Sequence, residues 1–144
     1  MKTIYAEDLS FWKTGKSSPD VWIDRAKRFI EGKGGRVLGD GFGCEASSGR
    51  AAFMLGFTAD GRRFKIIWPV LPSKGKDDKA ARVQPATTLY HYVQGVCLYA
   101  AVVGWHASFF SHLLLEDGRT ASQLEDKELL VWDALAPKLM LIER

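Results

Sequence analysis

Arg62, Arg63 and Lys65 stand around Phe64, and Trp68 follows in the same run. Lys74, Lys76, Lys79 and Arg82 come next, and Arg50 precedes. Aromatic side chains beside such cations have one chemistry in common with single-stranded nucleic acid. Bases stack on rings, at roughly 1–3 kcal/mol each, and cations neutralise phosphates. Phe42 and Trp12 are further candidate rings. Phe64 apart, these eleven residues form the candidate nucleic-acid-binding set.

Other chemistries find less support. His91, Cys97, His106 and His112 are six, nine and six residues apart. Metal ligands on one helix need a spacing of three or four, and six places side chains on different faces, about 120° apart. No nucleophile motif is present, and Asp77-Asp78 lie in a lysine-rich loop. Neither a catalytic residue, a metal, a cofactor nor a small-molecule substrate is predicted. The chain reads as non-enzymatic, with an enzyme of unfamiliar site as the third alternative.

Charge is unevenly spread over the 144 residues, whose formal net charge is +3. Residues 60–82 hold seven Lys/Arg against three Asp/Glu, a local +4. Residues 83–115 hold no Asp, Glu, Lys or Arg, and residues 116–144 carry four basic against seven acidic groups. A basic middle favours a polyanionic partner, although such runs are also common on solvated faces.

The elements that must position the candidates follow from periodicity. Residues 51–57 and 62–68 alternate in hydrophobicity, with Ala59-Asp60-Gly61 as the turn between them, which predicts a β-hairpin. Pro69 and Pro72 end its second strand. Arg36-Val37-Leu38 reads as another strand, and the glycines from Gly39 to Gly43 as a bend or bulge. Residues 2–12 read as an edge strand or ordered arm. Ser18-Pro19 starts a helix whose stripe is Trp22, Ala26, Phe29 and Ile30, and Gly32, Gly34 and Gly35 stop it.

In the uncharged stretch, Leu89, Val93, Val96, Ala100, Val103, Ala107, Phe110 and Leu114 recur at helical intervals. They predict a long buried helix from about Thr87 to Leu115, bent or divided if Gly95 or Gly104 interrupts it. A membrane span is long enough to fit here but is disfavoured by His91, Gln94, His106 and His112. Ser122 to Glu125 reads as a capping box opening a further helix. Cys44 and Cys97 show no metal or redox spacing, and the N-terminus has no apolar signal core, so a cytoplasmic location is expected.

The alternation splits the hairpin into two faces. Phe64, Ile66 and Trp68 point one way, Arg63 and Lys65 the other. If the aromatic face is the core face, the outer face keeps charge but few rings.

Two stretches carry a resemblance: Gly61-Arg62-Arg63-Phe64-Lys65-Ile66 with Pro69 and Pro72, and Leu113-Leu114-Leu115-Glu116-Asp117-Gly118-Arg119-Thr120. With Tyr5-Ala6-Glu7 and the Ser-initiated helix, they make the chain similar to a widespread family of short phage and prophage proteins. That family implies no settled activity, so no catalytic residue is carried over. Its long helix is rich in charge, and this chain departs there.

The expectation is therefore one α+β domain over residues 1–144. A small antiparallel sheet of three to four strands packs on a long central helix, with two shorter helices. The expected function is phage-type binding of single-stranded DNA through the basic hairpin and adjoining loop. The alternative is an assembly protein, a homo-oligomer that uses helix 87–115 as its interface.

Overall fold

The computed structural model describes residues 3–9, 18–44, 50–72, 74 and 79–124, with the backbone alone for residues 79–81. The order of elements is α1 (Pro19–Gly32), β1 (Arg36–Cys44), β2 (Ala51–Ala59), β3 (Arg62–Pro69), α2 (Lys79–Val103) and a short α3 (Trp105–Ser108). Single 3-10 turns lie at Ala6–Asp8, Phe110–His112 and Ala121–Gln123. The fold is α+β, with a three-stranded antiparallel sheet backed by a long helix.

Helix α1 starts where proline permits: Ser18 is the N-cap and Pro19, which has no N–H to satisfy, is the first helical residue. Ile23, Ala26 and Ile30 are buried, and Trp22 and Phe29 pack at their edge. The β2–β3 turn places Asp60 at φ 53° and Gly61 at φ 73°, the positive values that a two-residue hairpin turn requires. Phe53 lies opposite Trp68, Leu55 opposite Ile66 and Phe57 opposite Phe64. These residues build the core face, shared with Ile23, Ala26 and Ile30 of α1 and with Ala86, Leu89, Val93, Cys97 and Ala100 of α2.

Three sequence expectations need correction. Residues 39–44 continue the first strand, because a single bulge between Val37 and Gly39 absorbs the extra residue. Of the two readings of residues 2–12, the described residues 3–9 follow the ordered arm: residues 6–8 form a 3-10 turn tied to the loop after β3 by Ala6 N–H donating to the Pro72 carbonyl at 2.9 Å. The long helix begins at Lys79 and ends at Val103, and its limits do not follow those of the charge-free run. Gly104, at φ 91°, ends it. Gly95 leaves it unbroken. The described residues place a 3-10 turn at residues 121–123 in place of a helix start at Ser122: the capping box is Thr120 with Gln123, the Thr120 N–H donating to Gln123 Oε1 at 2.9 Å, and the helix expected beyond Leu124 lies outside the described residues.

Beyond Gly104 the chain folds back onto the sheet. Trp105 and Phe109, four residues apart, face one way and stack with centroids 5.5 Å apart. Phe109 also meets Phe57 edge-on at 5.1 Å and is fully buried. This docking brings Leu113 alongside Phe64, and Leu114 N–H donates to the Arg63 carbonyl at 2.9 Å. Leu115 N–H donates to the Arg119 carbonyl and Ala121 N–H to the Leu113 carbonyl, closing a small hairpin on the outer edge of β3. Among the described residues, no helix is long and apolar enough to cross a membrane.

Candidate nucleic-acid interface

The pleat assigns each candidate to a side of the sheet. Opposite the helices, pairing places Arg36 beside Thr58 and Thr58 beside Arg63, a row of three residues across three strands. Two strand spacings separate its basic ends, about 10 Å between Cα atoms. The next row is Gly39, Gly56 and Lys65, and after it come Gly41, Met54 and Ile67. Arg36 and Arg63 are exposed, and Lys65 is half-buried with its Nζ 3.5 Å from the Gly118 carbonyl. Ala52, towards the other end of the face, is 1% exposed, so the accessible part is the basic end.

Glycine makes the β1 side of this face bare. A Cβ at Gly39 or Gly41 would meet nothing within 4 Å. The result is a flat strip of backbone beside three cations. Exposed cations of this kind set up a positive potential that salt screens, and the bare strip offers no side-chain wall against close approach.

The remaining candidates separate. Arg62 pairs with Ala59 at the hairpin end and is exposed. Arg50 is exposed just before β2, at the far end from Arg63. Phe42 and Arg82 come together on the helix side, with the guanidinium carbon 5.7 Å from the ring centroid. Phe42 is 48% exposed and also packs on Phe53 at 4.9 Å.

Trp68 lies on the helix side too, where its indole N–H donates to Thr88 Oγ1 at 3.3 Å and its ring meets Tyr92. Trp22 is likewise taken up between Arg25 and Tyr90. Lys74 forms an ion pair with Asp8 at 2.5 Å, and its backbone N–H donates to the Glu7 carboxylate. The Asp8 hydrogen bond raises the Lys74 pKa, so the ammonium is held charged but already neutralised. Trp12, Lys76 and the side chain of Lys79 lie outside the described residues, although Lys79 is the first residue of α2.

Arg36 was missing from the sequence-derived set. Its partner Thr58 is set by the pairing upstream of the bulge at Leu38, and no residue type announces that bulge. Arg36 stands at the start of a run read as a strand, and that position was the available signal.

A second polar arrangement lies under the sheet edge. Tyr92 Oη and His112 Nε2 are 2.6 Å apart. Burial lowers the His112 pKa and raises that of Tyr92, so both groups are neutral at pH 7. Among the described residues, no three His, Cys, Asp or Glu side chains gather where they could hold a metal ion. Comparisons with protein-family models, with curated proteins and with solved structures return no match to this chain.

Proposed function

We propose that the chain is a non-enzymatic, phage-type nucleic-acid-binding protein that takes single-stranded DNA on the sheet face opposite its helices. The observation that carries this reading is the cross-strand row Arg36–Thr58–Arg63 with Lys65 in the next row. The bare β1 strip beside it lets a flexible strand lie close to the backbone. Affinity comes from phosphate contacts, since Trp68 is spent on the core. Phe42 with Arg82 is a separate patch reached around the β1 edge, where one base has a ring to stack on.

Fluorescence anisotropy with labelled oligo-dT and a duplex, at 50 and 200 mM salt, tests it. Three phosphate contacts give a slope of about −2 in log K against log salt for a single strand. The triple variant Arg36→Ala, Arg63→Ala, Lys65→Ala is expected to lose that slope and the binding with it. Absence of binding at 50 mM salt, or an unchanged slope in the variant, refutes the proposal. Equal or tighter binding of the duplex refutes the single-strand preference.

A further inference from the structure

Helix α2 has two apolar faces, and only one is used. Ala86, Leu89, Val93, Cys97 and Ala100 are the inner face, packed on the sheet and α1. Gly95, Leu98, Tyr99 and Val102 fall half a turn away, at the intervals of three and four residues that make one stripe of a helix. Leu98 is 51% exposed, Tyr99 56%, Val102 81% and the flanking Val103 40%. Isolated exposed apolar residues are ordinary, but a contiguous row along a helix marks a contact surface.

We infer that this stripe is the contact between two copies of the chain, related by a twofold axis. Two observations select a second copy as the occupant. First, the surface carries no charge: from residue 83 to 115 there is no Asp, Glu, Lys or Arg. It therefore has nothing to steer or pair with a charged partner, and it meets its own image without like-charge repulsion. An isologous contact needs just such self-complementarity. Second, Gly95 stands within the stripe and has no neighbour within 4 Å of where a Cβ would stand. This leaves room for Leu98 or Tyr99 of the other copy to sit against the helix backbone, as small residues permit in close helix pairs.

The stripe lies on the helix side of the sheet and the Arg36–Arg63 row on the other. Association therefore leaves the basic row accessible in both copies, and the two proposals fail or stand separately.

Sedimentation velocity of the full chain from 1 to 200 μM, without nucleic acid, tests the contact. The expected result is a reversible dimer whose Kd rises at least about 30-fold in Val102→Glu. Because Val102 is exposed, the variant is expected to keep the wild-type circular dichroism spectrum and melting midpoint. A second arm uses Val102→Cys in a Cys44→Ser background, where mild oxidation is expected to link two chains. A wild-type monomer at 200 μM overturns the inference and assigns the stripe to a different occupant. A dimer indifferent to Val102→Glu overturns it as well, by placing the contact elsewhere.

Discussion

Phe109 is the residue on which the return of the chain after α2 depends, and its truncation has a calculable cost. The ring is fully buried and touches Phe57 edge-on at 5.1 Å, Trp105 in a stack at 5.5 Å and Phe64 at 6.0 Å. Phe109→Ala removes the transfer energy of a whole aromatic side chain and leaves a cavity that three rings hold open. The expected loss is about 3–5 kcal/mol. With a urea m-value of about 2 kcal/mol per molar, the unfolding midpoint falls by roughly 2 M. Neighbouring Phe110 is the internal control. It is only half-buried and rests on His106, so Phe110→Ala should cost about 1 kcal/mol. Urea titrations followed by tryptophan fluorescence and by circular dichroism measure both. Equal midpoints for the two variants would refute the docking of this segment, and with it the small hairpin on the outer edge of β3.

Other expectations follow from single groups. Gly104→Ala puts a Cβ at φ 91° and should lower stability by about 1–2 kcal/mol, read as a lower melting midpoint; no change would mean that α2 does not end there. Burial depresses the His112 pKa below its unfolded value near 6.5, so its neutral form is favoured in the fold. Stability from this group is complete above about pH 6.5 and is lost as the pH falls towards the folded pKa. His112→Gln should flatten that part of a pH–stability curve, and parallel curves would refute the assignment. Cys97 is buried and its pKa is pushed up to about 11, whereas Cys44 is exposed. A thiol reagent at pH 8 should therefore label Cys44 rapidly and Cys97 only on unfolding; fast labelling of both contradicts the packing of α2.

The parts of the fold legible in the sequence were those set by local chemistry. Ser18-Pro19, Asp60-Gly61 and the alternation of residues 51–57 and 62–68 each act over a few residues, and each element is where they imply. The limits of α2 were harder to read because the eye follows charge, while the backbone follows hydrogen bonding. Lys79 and Arg82 are charged yet helical, and Gly104 ends the helix inside the uncharged run. Of the candidate site, the placement of Arg63 and Lys65 opposite Phe64 and Trp68 was readable from the pleat alone. The Arg36 contribution, the Lys74–Asp8 pair and the Trp68–Thr88 bond join residues far apart in sequence, and no local pattern encodes such contacts.

The hairpin on the outer edge of β3 also bears on the order in which the molecule assembles. Strands β2 and β3 are neighbours in sequence, so closing their turn costs little chain entropy, and microseconds suffice. The pairing of Phe64 with Leu113 must wait until α2 has formed and the break at Gly104 has turned the chain back. Segments that join last through few contacts tend also to open first, as a cooperative unit below the global unfolding energy. Amide exchange at Leu114, whose N–H is held by the Arg63 carbonyl, should then report an opening cheaper than that of the central strand β2. The basic row would keep its strands through that opening, and only the Gly118 carbonyl beside Lys65 would be withdrawn.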